Sequence, residues 1–190
     1  KMTINTFNKI LLFFSGILLL NVWMNNFSFA ANGTLILFYF LIPYLLFNKF
    51  EYAVYLLAFC LSYESILYAW GAGRYNSVSY LAILVMIFGI LKNKISRKSL
   101  NSFEIIFLIF VVLNLLSLLW TPEIKKSLQA VFVWFGLFSV MYTFHRSIRN
   151  EKFLVNCLSY FCWGVGILSL SLFTQYSMET FIYGVSKQYY

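Results

Sequence analysis

Residues 105–119 read Ile-Ile-Phe-Leu-Ile-Phe-Val-Val-Leu-Asn-Leu-Leu-Ser-Leu-Leu, opened by Phe103 and Glu104 and closed by Trp120. Apolar side chains recur at every offset, so the run has neither the stripe of a half-exposed helix nor the strict alternation of a half-buried strand. Asn114 and Ser117 are its only polar residues. A hydrocarbon core about 30 Å thick needs roughly 20 mostly apolar residues to cross it as a helix. The stretch 103–120 meets that need. A membrane barrel would instead show alternating ten-residue segments.

Working outward, runs of the same kind occupy 8–26, 30–48, 52–71, 76–92, 126–145 and 153–175. The sequence therefore predicts an all-α, polytopic helical membrane protein with about seven transmembrane helices, a single domain over residues 1–190. Composition agrees: 62 % of residues are hydrophobic and only 11 % charged, with a mean hydropathy of +0.80. So few charges cannot cover a soluble core of this size.

The connections sort by charge. Lys1, Lys9, Lys49, Lys92, Lys94, Arg97, Lys98, Arg146, Arg149 and Lys152 fall on one side of the predicted spans, and Arg74, Lys125, Lys126 and Lys187 on the other. Short loops rich in Lys and Arg stay cytoplasmic, which predicts a cytoplasmic N-terminus. The net charge of +8 is thereby a topology signal, and no basic stripe suggests nucleic acid as a partner. Membrane lipids are expected partners, with Lys92, Lys94, Arg97 and Lys98 contacting anionic headgroups. The first span is followed by Ser28-Phe29-Ala30, the small-x-small form of a signal-peptidase site. Cleavage there competes with an ordinary interfacial exit at Trp23, Asn25 and Asn26.

Few residues invite chemistry. Cys60, Cys157 and Cys162 lie in apolar spans without neighbouring His or carboxylate, and read as small apolar residues with no metal or cofactor implied. His145, the single histidine, reads as a snorkelling interfacial group beside Arg146. Most of the aromatic residues read as interfacial anchors or packing groups. Glu64 lies inside the third span, where a carboxylate needs a partner or a polar cavity. Arg74, in the Gly71-Ala72-Gly73-Arg74 turn, is a candidate partner; lining a proton path is the alternative.

The corner Leu118-Leu119-Trp120-Thr121-Pro122-Glu123-Ile124-Lys125-Lys126 reads as a span ending at an aromatic anchor and followed at once by a new helix. Thr121 is suited to cap that helix, Pro122 to its first position and Glu123 to the positive end of its dipole. The helix then runs to about His145, with Lys125 and Lys126 over the outer headgroups. A tight connection with two solvated lysines is the plainer reading.

Ser117-Leu118-Leu119-Trp120-Thr121-Pro122, followed by Ser127-Leu128-Gln129-Ala130, resembles the O-antigen ligase and polymerase superfamily of bacterial envelopes. Gly164-Val165-Gly166-Ile167 leading through Leu172-Phe173-Thr174-Gln175 also fits, so the likeness covers roughly residues 100–176. The resemblance implies a multi-pass glycosyltransferase of the bacterial inner membrane. Such an enzyme takes glycan from a polyprenyl-diphosphate-linked donor and passes it, at the outer face, to a growing glycan or a lipid A core. Arg74, Lys125, Lys126 and Lys187 are then candidate contacts for the lipid diphosphate, whose developing charge fixed cations stabilise. The family's Arg-x-x-Gly and Pro-Asn motif and its outer-loop histidine are not found in these residues. The chain is accordingly expected to represent the N-terminal part of a longer polytopic protein, inactive by itself. A transporter or flippase core, with Glu64, Asn21, Asn114 and Asn156 lining a path, and a non-catalytic assembly subunit are the competing readings.

Overall fold

A computed structural model describes residues 3–23, 41–42, 44–61, 77–95, 99–148 and 150–187. All regular structure among them is α-helical. The helices are α1 (Ile4–Trp23), α2 (Phe50–Cys60), α3 (Ser77–Leu91), α4 (Ser102–Ser117), α5 (Ile124–Ser147) and α6 (Glu151–Lys187), with a short helical stretch at 44–48 leading into α2. Glu64, Arg74 and the Ser28-Phe29-Ala30 triplet lie outside the described residues.

The ends of these helices follow from local chemistry. Asn101 and Glu104 form a reciprocal capping box on α4. Asn101 Oδ1 accepts from the Glu104 amide at 2.7 Å, and a Glu104 carboxylate oxygen accepts from the Asn101 amide at 2.9 Å. Two otherwise orphaned amides are satisfied together. Asn150 caps the start of α6 from one side only, its Oδ1 accepting from the Phe153 amide at 2.8 Å. At the far end of α3, Asn93 adopts φ 53°, the left-handed conformation that Asn tolerates better than other side chains. The Lys94 amide then reaches back to the Gly89 carbonyl at 2.8 Å and the Asn93 amide to Ile90 at 3.2 Å, the paired bonds of a Schellman ending. This folds Ile95 over Gly89, where an added Cβ would stand 2.6 Å from Ile95 Cγ1 and 2.7 Å from Phe50 Cζ.

The helices pack as a bent row in the order α4, α5, α3, α2, α6, α1, with α2 also touching α5. α2 is the centre, and every residue from Ala53 to Cys60 is buried. Between α3 and α5 the backbones come close, because a Cβ on Gly136 would lie 2.8 Å from Ser79 Cα. Small residues of this kind let membrane helices approach. Aromatic pairs fill the wider contacts. Phe110 meets Trp134 edge-on at 4.9 Å, Phe7 stacks on Tyr52 at 5.0 Å, and Tyr55 stacks on Tyr160 at 5.1 Å. Tyr160 Oη donates to Asn8 and Asn156 Nδ2 donates to Tyr55 Oη at 3.2 Å, tying α1, α2 and α6 together.

Among the described residues, two helices are long and apolar enough to cross a membrane, α5 and the Glu151–Leu170 part of α6. The stretches Phe50–Cys60, Val78–Leu91 and Ser102–Ser117 are apolar but shorter. Of the predicted span 103–120, the helix proper stops at Ser117, and residues 118–120 tighten into bonds from Leu118 to Leu115, Leu119 to Leu116 and Trp120 to Ser117. α4 exposes Ile106, Leu113, Leu115 and Leu116 to its surroundings with no polar face to compensate.

Candidate functional site

The predicted corner is where α4 turns into α5. Trp120 is 77 % exposed, as befits an anchor in a lipid interface. The capping expected of Thr121 does not occur. The first carbonyl of α5 belongs to Glu123, which accepts from the Ser127 amide at 3.1 Å, so the helix begins at Ile124. Thr121 and Pro122 therefore stand outside it, because the tightened end of α4 needs three residues to reverse direction. Thr121 Oγ1 pairs instead with Ser127 Oγ at 2.9 Å. Glu123 makes no side-chain cap bond and holds Lys126 Nζ at 2.7 Å. Both partners are largely exposed, so this pair contributes little to stability. Lys125 is exposed beside it. Lys187 belongs to α6, with its side chain outside the described set. The structure thus brings Lys125 and Lys126 together and leaves their relation to Arg74, Glu64 and Lys187 undescribed.

At the opposite end of the same helical hairpin, about 24 Å away by the rise of the 16-residue α4, lies a cluster that sequence reasoning missed. Glu104 is 1 % exposed. Arg146 Nε donates to its Oε1 at 2.8 Å, a terminal guanidinium nitrogen donates to its Oε2, and the Arg146 side chain is itself 7 % exposed. The same guanidinium also donates to the Ser99 carbonyl at 2.9 Å. His145 Nδ1 lies 2.9 Å from Glu104 Oε1, with the ring 54 % exposed, so the histidine expected to be a snorkelling group is a contact of the carboxylate. The local signal was Asn101-x-x-Glu104 ahead of an apolar run, the pattern of a capping box.

Among the described residues, this end gathers Lys49, Lys92, Lys94 and Arg146. α2 and α6 begin here, α3 and α5 end here, and Lys49, Lys92 and Lys94 line one cavity with Ser147 and Asn150. Lys125 and Lys126 mark the other end of α5. Of the asparagines expected to line a path, those with described side chains are already hydrogen-bonded: Asn114 donates to the Phe110 carbonyl of its own helix at 2.8 Å, and Asn156 to Tyr55.

No family model, curated protein or solved structure matches the chain.

Of the cysteines, Cys60 and Cys157 are buried and Cys162 is exposed. Among the described residues no three His, Cys, Asp or Glu side chains gather as a metal site would require.

Proposed function

We propose that this chain is a multi-pass inner-membrane segment, N-terminus cytoplasmic, of a glycosyltransferase of the O-antigen ligase and polymerase type. Its outer corner would hold the diphosphate of a polyprenyl-linked donor. The observation that carries the reading is the polarity of the α4–α5 hairpin. An exposed Trp120 and the pair Lys125 and Lys126 stand at one end, and the Glu104–Arg146 lock stands at the other. The apolar, uncompensated surface of α4 supports lipid as its surroundings. Two exposed ammonium groups at a helix start, beside an interfacial Trp, suit a lipid-borne diphosphate.

The role of the lysines is tested by Lys125→Gln with Lys126→Gln in the complete protein. Glycan transfer should fall while the amount of protein in the membrane is unchanged. Undiminished transfer would dispose of the role. Orientation is tested separately by Gln129→Cys in a cysteine-free background, which should react with an impermeant maleimide from the envelope side. Labelling only after the membrane is breached would remove the outward-facing site.

A further inference from the structure

At the end of the bundle where α2 and α6 begin and α3 and α5 finish, the chain forms a partly open cavity of about 340 Å³. That volume is at the lower end of small-molecule sites, about 300–1,000 Å³. Lys49, Lys92 and Lys94 line it with Glu51, Ser147 and Asn150, three cations against one carboxylate. Lys92 is held in place, its Nζ donating to the Phe47 carbonyl at 3.0 Å and lying 4.6 Å from the Phe47 ring centroid. An ammonium so placed keeps donors available for a ligand oxygen. Lys49 is the N-cap residue of α2 and makes no side-chain cap bond, and Asn150 precedes the first turn of α6. The starts of α2 and α6 thus border one space, but Asn150 Oδ1 already takes the Phe153 amide and Glu51 and Glu151 stand in the two first turns, so the positive charge here is that of the lysines.

An independent observation points the same way. Ser147 is 5 % exposed and its Oγ has no hydrogen-bond partner. A buried hydroxyl in that state carries an unreturned desolvation cost, and Ser147 lines this cavity. The Oγ itself has no accessible surface toward the cavity, so an acceptor oxygen bound there would satisfy it after a change of the Ser147 χ1 rotamer.

We propose that this cavity is a phosphate site. It takes the phosphate of an anionic glycerophospholipid headgroup or of a soluble phosphate, in either case a compact tetrahedral anion with several acceptor oxygens. It lies at the end of α5 away from Lys125 and Lys126 and does not depend on a glycan donor.

The test uses the full-length protein in lipid nanodiscs, with Lys92→Gln/Lys94→Gln and Ser147→Ala as variants. Lys152→Gln serves as a control, being a lysine of the same helix end that does not line the cavity. In discs containing phosphatidylglycerol, native mass spectrometry should show an anionic lipid retained by the wild type and by Lys152→Gln. The double variant should release it, and Ser147→Ala should hold it about fivefold less tightly, the loss of one hydrogen bond. In discs of phosphatidylcholine alone, inorganic phosphate should raise the thermal midpoint of the same proteins if the source is soluble. Retention without a phosphate shift assigns the lipid, and the reverse assigns the soluble anion. If neither readout separates wild type from the double variant, or if Lys152→Gln loses as much as the double variant, the proposal is overturned. Ser147→Ala removes one oxygen and guards against a folding defect as the explanation.

Discussion

Arg146 grips both carboxylate oxygens of Glu104 across 42 residues of sequence, and in doing so fastens the start of α4 to the end of α5. The same carboxylate completes the capping box with Asn101. One side chain therefore caps the start of a helix and joins two of them.

Removing either half of this pair strands the other in a place with little water. Glu104→Gln or Arg146→Gln is expected to lower stability by about 3 kcal/mol, and the double variant by less than the sum. Thermal unfolding in detergent, run as a double-mutant cycle, measures the coupling. Additive losses would mean the two groups act separately.

His145→Ala should cost less, about 1 kcal/mol or below, because its ring is 54 % exposed and water screens the contact. Measured in the same detergent, a loss equal to that of Arg146→Gln would contradict the geometry.

Gly136→Ala forces a methyl to within 2.8 Å of Ser79 Cα, and backbone cannot step aside as a flexible side chain can. A loss of about 1–3 kcal/mol follows. Ser79→Gly should restore only part of it, since the Cα remains. Thermal midpoints of the two single variants and the double variant decide this.

Asn93 holds a left-handed φ of 53°. Asn93→Gly should leave stability nearly unchanged, while Asn93→Val should cost about 1–2 kcal/mol. Equal melting of the two variants would show that the turn has relaxed.

Much of the helical layout was legible in hydropathy alone, because a run such as 105–119 admits few other structures. Helix ends were harder. Thr121 and Pro122 carry the right chemistry for a helix start, but the tightened turn at Leu118 to Trp120 displaced the start to Ile124. Local propensity lost to the geometry of reversing the chain. Asn101-x-x-Glu104 was readable as a cap, yet its partner Arg146 was not, since nothing local fixes which loops meet. The cavity is of the same kind: Lys49, Lys92 and Ser147 come from three separate helix ends, and only packing brings them together.

The left-handed residue between Lys92 and Lys94 makes the spacing of those two side chains a property of the main chain. Sequence drift at this corner is thereby channelled. Exchange of lysine for arginine preserves the layout, whereas inserting or deleting one residue beside Asn93 would re-aim both cations at once, although neither had been lost.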